Sequence, residues 1–110
     1  MIRVKLFNHD ENLLTGIECS GHSGSAEKGH DIICAAVSVL MQSLILGLED
    51  VAEVNDANFV IDAKIPLMRV TWPVNECDRI SVLTRTISES LKQIARDNPD
   101  YVKIISEVSK

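Results

Sequence analysis

Four residues able to act as nucleophile, base or metal ligand crowd into one short stretch of this sequence: Cys19, His22, His30 and Cys34. Their spacing is C-x2-H-x7-H-x3-C, and three of the chain's five glycines, Gly21, Gly24 and Gly29, lie among them. Two chemistries use such a set. Thiolates and imidazoles are ligand types that zinc favours in tetrahedral sites. Alternatively, an imidazole takes the proton of a thiol, and the sulfur attacks a carbonyl carbon before the proton passes to the leaving amine.

The zinc reading needs Cys19 and His30 to point inward together. Cys19 alternates with Glu18 and Ser20 on a strand-like stretch, which turns its thiol to the apolar face as a small buried hydrophobe. His30 reads most simply as a solvated loop residue and shares a helix face with Cys34 only if that helix begins before Asp31. Phosphate binding fits less well. There is no GxxxxGK[ST] and no GxGxxG, and Lys28 precedes Gly29 rather than following it. A GxSxG elbow fails because position 25 is Ser.

The thiol reading suits the elements on either side. Ile2, Val4 and Leu6 alternate with Arg3 and Lys5 as in a half-buried strand. A polar turn over residues 8–12 contains His9, and Leu13 to Ser20 can return as a second strand that ends beside His22. Asp31 is the expected N-cap of a helix from Ile32 to about Val54, with Gly47 its weak spot. Cys34 is then the third helical residue, beside unpaired N–H groups at the positive end of the helix dipole. That place favours thiolate over thiol and offers donors for an oxyanion. The glycines would let the backbone fold back, bringing His22 over the helix start. Asp31 has a second role open to it, orienting His22 or meeting substrate. Ser38, one turn after Cys34 on the same face, either lines the site or simply packs.

Further along, Phe59 to Lys64 and Leu67 to Trp72 read as strands three and four, with Pro66 marking a turn. A second helix runs from about Asn75 or Glu76 to Arg96, with Ile80, Leu83, Ile87, Leu91 and Ile94 as its apolar stripe and its Ser and Thr residues outward. Cys77 lies at its start with no histidine near in sequence. Tyr101 to Val108 alternates as a last strand. The order is β-β-α-β-β-α-β, an α/β (α+β) fold with a small, mostly antiparallel sheet and two helices.

The chain's 110 residues fit one domain spanning 1–110. Apolar residues make up 45% and aromatics 4%, so the core is aliphatic. Sixteen acidic against eleven basic residues leave a net charge of -5, which argues against a nucleic-acid binder and favours a basic partner. Three cysteines without a CxxC spacing read as free thiols in a reducing, cytoplasmic setting. MIRVKLFNHD has no apolar run of signal-peptide length. The run Ile32 to Leu48 approaches membrane-spanning length, but Ser38, Gln42 and Ser43 interrupt it and no basic residue anchors it. It reads as a core helix covered on more than one side, by the sheet and by a second helix or partner subunit. Neither a membrane nor a cofactor is expected.

The run G-H-S-G-S-A-E-x-G-x-D-I-I-C-A-A-V-S over residues 21–38 resembles the signature of the Prp family, the ribosomal-processing cysteine proteases of bacteria. The layout of elements is similar over nearly the whole chain. The resemblance implies a catalytic dyad of His22 and Cys34, with Gly21, Asp31 and Ser38 matching motif positions that support the active site. It implies a substrate, the N-terminal extension of ribosomal protein L27, and a homodimer with a mobile loop between the dyad residues. It implies no metal or other cofactor. Ser23, Ser25 and Ile33 depart from the commoner family residues without removing a proposed chemical group. Two rivals remain at this level, a ribosome-associated binding module on the same fold and a zinc-stabilised domain.

Overall fold

β1 (Ile2–His9) places Ile2, Val4 and Leu6 in the core, as their alternation with Arg3 and Lys5 requires. β2 (Leu13–Ser20) returns antiparallel to it, with Leu6 opposite Ile17 and Val4 opposite Cys19. Asp10 turns the chain between them. Its φ is +53°, and its carboxylate accepts the Asn12 amide at 3.0 Å, a local bond that makes Asp suitable there. This computed structural model describes residues 1–21 and 30–109, except for the side chains of 30 and 31.

A second hairpin, β3 (Asn58–Asp62) and β4 (Leu67–Thr71), joins the sheet through β4 and β2. Its turn is held by the Asp62 carboxylate, which accepts the amides of Lys64 at 2.8 Å and Ile65 at 3.3 Å. β5 (Val102–Ser109) runs parallel to β1, giving the order β3-β4-β2-β1-β5. Together with the two helices below, this is the α/β layout and β-β-α-β-β-α-β order that the periodicity predicts.

α1 (His30–Leu46) buries Ile33, Val37, Met41 and Leu44, at helical steps of four and three. It begins two residues before the predicted Ile32. Nothing at His30 opposes helical backbone, so the first turn forms ahead of the side-chain cap expected at Asp31. Asp31 is therefore the second helical residue and not the cap, and Cys34 is the fifth and not the third.

The helix also ends differently from the expected α-helix to Val54. Gly47–Val51 is a π-helical turn, where Ala52 N–H donates to the Gly47 carbonyl at 2.7 Å. The Ala52 carbonyl then accepts Arg79 Nη1 at 2.7 Å, which ties the end of this turn to the start of the second helical region. A Cβ on Gly47 would stand 2.6 Å from Leu83 Cδ2, so the glycine lets the two helices close on one another.

α2 (Ser81–Asp97) starts later than Asn75 or Glu76. Val74–Glu76 is instead a 3-10 turn, and the chain on both sides of it is pinned to β2. Trp72 Nε1 and Cys77 Sγ both donate to the Leu14 carbonyl, at 2.8 and 3.3 Å. Along α2, Thr84 and Ser88 are buried beside Ile87 and Leu91, although the sequence places the hydroxyls on the outer face. They lie one turn apart on the side that also carries Ile80, and that geometry decides their burial.

Both helices contribute to one core with the same face of the sheet. On the other face Glu18 is buried, because Arg69 Nε and Nη2 reach its Oε1 at 2.7 and 2.6 Å and Lys5 Nζ lies 4.0 Å from its Oε2. Ile32–Val51 is long and apolar enough, by length and composition, to cross a membrane. Its inner stripe is core. Its outer stripe stays open in the protomer: Ile32, Val39, Leu46 and Val51 are exposed. The sheet and α2 cover this helix on its inner sides, and its outer stripe is left uncovered by the described residues.

Candidate active site

α1 carries Cys34, Ser38 and Gln42 at successive turns, and all three line a cavity of about 740 Å³. Spacing i, i+4, i+8 puts them on one helix face, and side chains lean toward the helix N-terminus, so the Cys34 thiol sits over the first turn. Cys34 is half-buried and packs against the core while opening into the cavity. Gln42 Nε2 donates to Ser38 Oγ at 3.3 Å. The Ser38 hydroxyl thereby accepts a hydrogen bond from its neighbour along the cavity wall.

The floor is apolar, formed by Ile2, Val37, Met41 and Met68 together with Cys19. The opposite wall is the tip of the β3–β4 hairpin, from Ile61 to Ala63 and from Pro66 to Met68. Ser20 and Gly21 close one end. The predicted shared face of Cys34 and Ser38 is present. Asp31 stands in the helix as described above, and its side chain, like that of His30, lies outside the described residues. His22 also lies outside them, but its chain neighbour Gly21 lines the same cavity as Cys34.

Gly21 is held firmly. Its N–H donates to the Pro66 carbonyl at 3.1 Å, its φ is +92°, and a Cβ there would stand 2.3 Å from the Met1 carbonyl oxygen. Only glycine fits that backbone and that contact. The residue before His22 is thus fixed by main chain on two sides.

The three thiols have different surroundings. Cys19 is a core residue, and burial pushes its thiol up to about 12, with the neighbouring Glu18 carboxylate adding to the effect. Cys77 is also buried. Burial raises its thiol, against an opposing contribution from the Trp72 hydrogen bond and with Asp78 adding. Neither suits a nucleophile. Of the four residues in a zinc-type set, Cys19 faces the core from β2, and both histidine side chains lie outside the described residues.

Cys34, one turn into α1, shifts the source of any oxyanion donors. The unpaired N–H groups of a helix belong to its first turn, so they precede Cys34. Sequence reasoning noted Gln42 only as a polar interruption of an apolar run. Its spacing of eight from Cys34 was the available signal. The hairpin wall had no local signal, because it is brought in by pairing of β4 with β2.

The chain matches the family described as cysteine protease Prp over residues 1–103. No curated protein matches it. Among solved structures it is similar to SMU.848 from Streptococcus mutans, at 25% identity and a TM-score of 0.86, covering 99% of this chain and 96% of that one. It is similar in fold to the essential ribosomal processing protease Prp from S. aureus in complex with a substrate peptide, at 20% identity and a TM-score of 0.85, covering 97% and 100% of the two chains. The same S. aureus protease with a covalently linked product peptide gives 20% identity and a TM-score of 0.82, with the same coverage. With the family matched over nearly its whole length, the chain belongs to the cysteine protease Prp family.

Proposed function

We propose that this cysteine protease removes the N-terminal extension of ribosomal protein L27, with Cys34 as nucleophile and His22 as its base. The observation that carries the reading is the shared cavity. Cys34 opens into it from α1, and Gly21, fixed immediately before His22, closes its end. Cys34 is also the one cysteine of the three that is not buried.

In the proposed cycle His22 takes the Cys34 proton and sulfur attacks the scissile carbonyl carbon. N–H groups of the first turn of α1 hold the resulting oxyanion. The carbon–nitrogen bond breaks, and the amine leaves with the proton held on His22. A water, deprotonated by His22, attacks the thioester, and the carbon–sulfur bond breaks to release the new carboxylate and restore the thiol. Ser38 donates its hydroxyl proton to the substrate within the cavity, and Asp31 in the first turn supports the His22 side. The S. aureus relative with a covalently linked product peptide supports a covalent step.

The enzyme works in the cytoplasm as a homodimer in this reading. The exposed stripe Ile32, Val39 and Leu46 on α1 supports a second copy as the missing cover. The net charge of -5 suits a basic N-terminal tail as substrate. The test incubates the protein and Cys34→Ala with L27 carrying its extension, and locates cuts by mass spectrometry. One cut near the N-terminus by the native protein and none by Cys34→Ala is expected. Cleavage that survives the substitution would sink the proposal.

A further inference from the structure

We propose that β3 is where the substrate's main chain is read, the peptide adding to it as a further strand; this rests on the protease reading above. Among the described residues β3 is the last strand of the sheet and pairs only with β4. Its outer edge therefore offers backbone N–H and C=O groups to another chain.

Two features set this edge apart from the edge at the other end of the sheet. β5 is guarded by charge: Lys103 and Glu107 lie along it, and Glu107 pairs with Lys5 at 3.7 Å. The sequence of β3, NFVID, holds no lysine and no proline, and its middle residues Val60 and Ile61 are 44% and 63% exposed. An unguarded edge with apolar side chains on both faces invites strand pairing. The second feature is position, because Ile61, Asp62 and Ala63 form part of the wall of the cavity into which Cys34 opens.

These features commit the edge to one occupant, an extended peptide segment on one side of the scissile bond. Five strand residues span roughly 17 Å, room for about five substrate residues. Main-chain bonds would supply affinity that tolerates sequence variation. Every second side chain of the added strand would turn toward the apolar floor at Met41 and Met68, and the others toward solvent.

The test uses a synthetic peptide spanning the L27 cleavage site and a series with one backbone amide N-methylated at a time. The expected result is a period-two pattern on one side of the cut, with kcat/KM lowered about tenfold or more at alternate residues and little changed between them. A flat profile would overturn the inference while leaving the protease reading intact. If the unmethylated parent is not cut, the protease reading on L27 fails instead, and this inference falls with it.

A second arm compares Val60→Pro with Ile61→Pro. Adjacent residues point their N–H groups alternately outward and into the ladder with β4, so one variant removes an edge donor and the other a ladder bond. The variant that keeps native circular dichroism and native Cys34 alkylation is expected to show a raised KM with kcat little changed. An unchanged KM in that folded variant contradicts the inference. So does an unchanged KM with dissociation seen by sedimentation, which would assign the edge to a second copy of the chain.

Discussion

At the scale of single residues, burial separates the three thiols more clearly than sequence neighbours do. Cys19 and Cys77 are enclosed and raised, whereas Cys34 is half open to a cavity. Iodoacetamide on the folded protein near pH 7.5 should label Cys34 first, with the other two labelled only on unfolding; equal labelling rates, read by peptide mapping, would contradict this. Cys19 also sets a pH dependence. Its folded value near 12 lies above the ordinary 9.0, so the folded state holds the proton more tightly and the associated stability is full below pH 9. That stability is lost as pH rises from 9 to 12, at up to about 1.4 kcal/mol per pH unit. Urea titrations should show this slope in the native protein and a shallower one in Cys19→Ala. Gly21→Ala forces a side chain into positive φ and against the Met1 carbonyl. Its melting temperature should fall by about 5 °C or more, with cleavage lost; a melting temperature within a degree of native would show that the backbone there relaxes freely. Much of this scale was legible in the sequence. Alternation around Cys19 foretold its inward thiol, and a spacing of four foretold the shared face of Cys34 and Ser38. The fixed conformation of Gly21 was not legible, because it depends on Met1 and Pro66, both remote from it along the chain.

Helices and strands were legible in kind and order, and least so where tertiary contacts move their ends. α1 starts at His30 although Asp31 is the better cap by type, and its far end opens into a π-helical turn beside Leu83 at Gly47. α2 begins after a turn tied to Leu14, a contact that no local pattern encodes. Sheet elements carry a charge test of their own. Glu18 is 5% exposed on β2 and depends on Arg69 of β4. Arg69→Met leaves that carboxylate short of its main partner and should cost about 2–3 kcal/mol by urea denaturation. Glu18→Gln, which removes the buried charge, should cost less. The reverse order would mean that Lys5 alone satisfies Glu18.

For the whole molecule, composition foretold an aliphatic core but not the strand order β3-β4-β2-β1-β5, which places the β3–β4 hairpin beside Cys34. Pairing of sequence-distant strands has no local signature, so the cavity's second wall was invisible until the fold was known. The outer stripe of α1 bears on assembly. Val39 is 59% exposed and Leu46 56% exposed on a helix whose other side is core. Sedimentation should find a dimer at micromolar concentration, and Val39→Glu should shift it to monomer and remove the concentration dependence of the melting temperature. A native protein that sediments as a monomer would exclude that interface.

The central claim is that peptide cleavage passes through Cys34. Intact-protein mass spectrometry of an acid-quenched reaction with extended L27 tests it most directly, using His22→Ala beside the native enzyme. The expected result is a transient adduct on the native enzyme, equal in mass to the N-terminal fragment less one water and mapped to Cys34, and no adduct on His22→Ala. An adduct on Cys19 or Cys77, or full product formation by the Cys34→Ala variant, would contradict the mechanism.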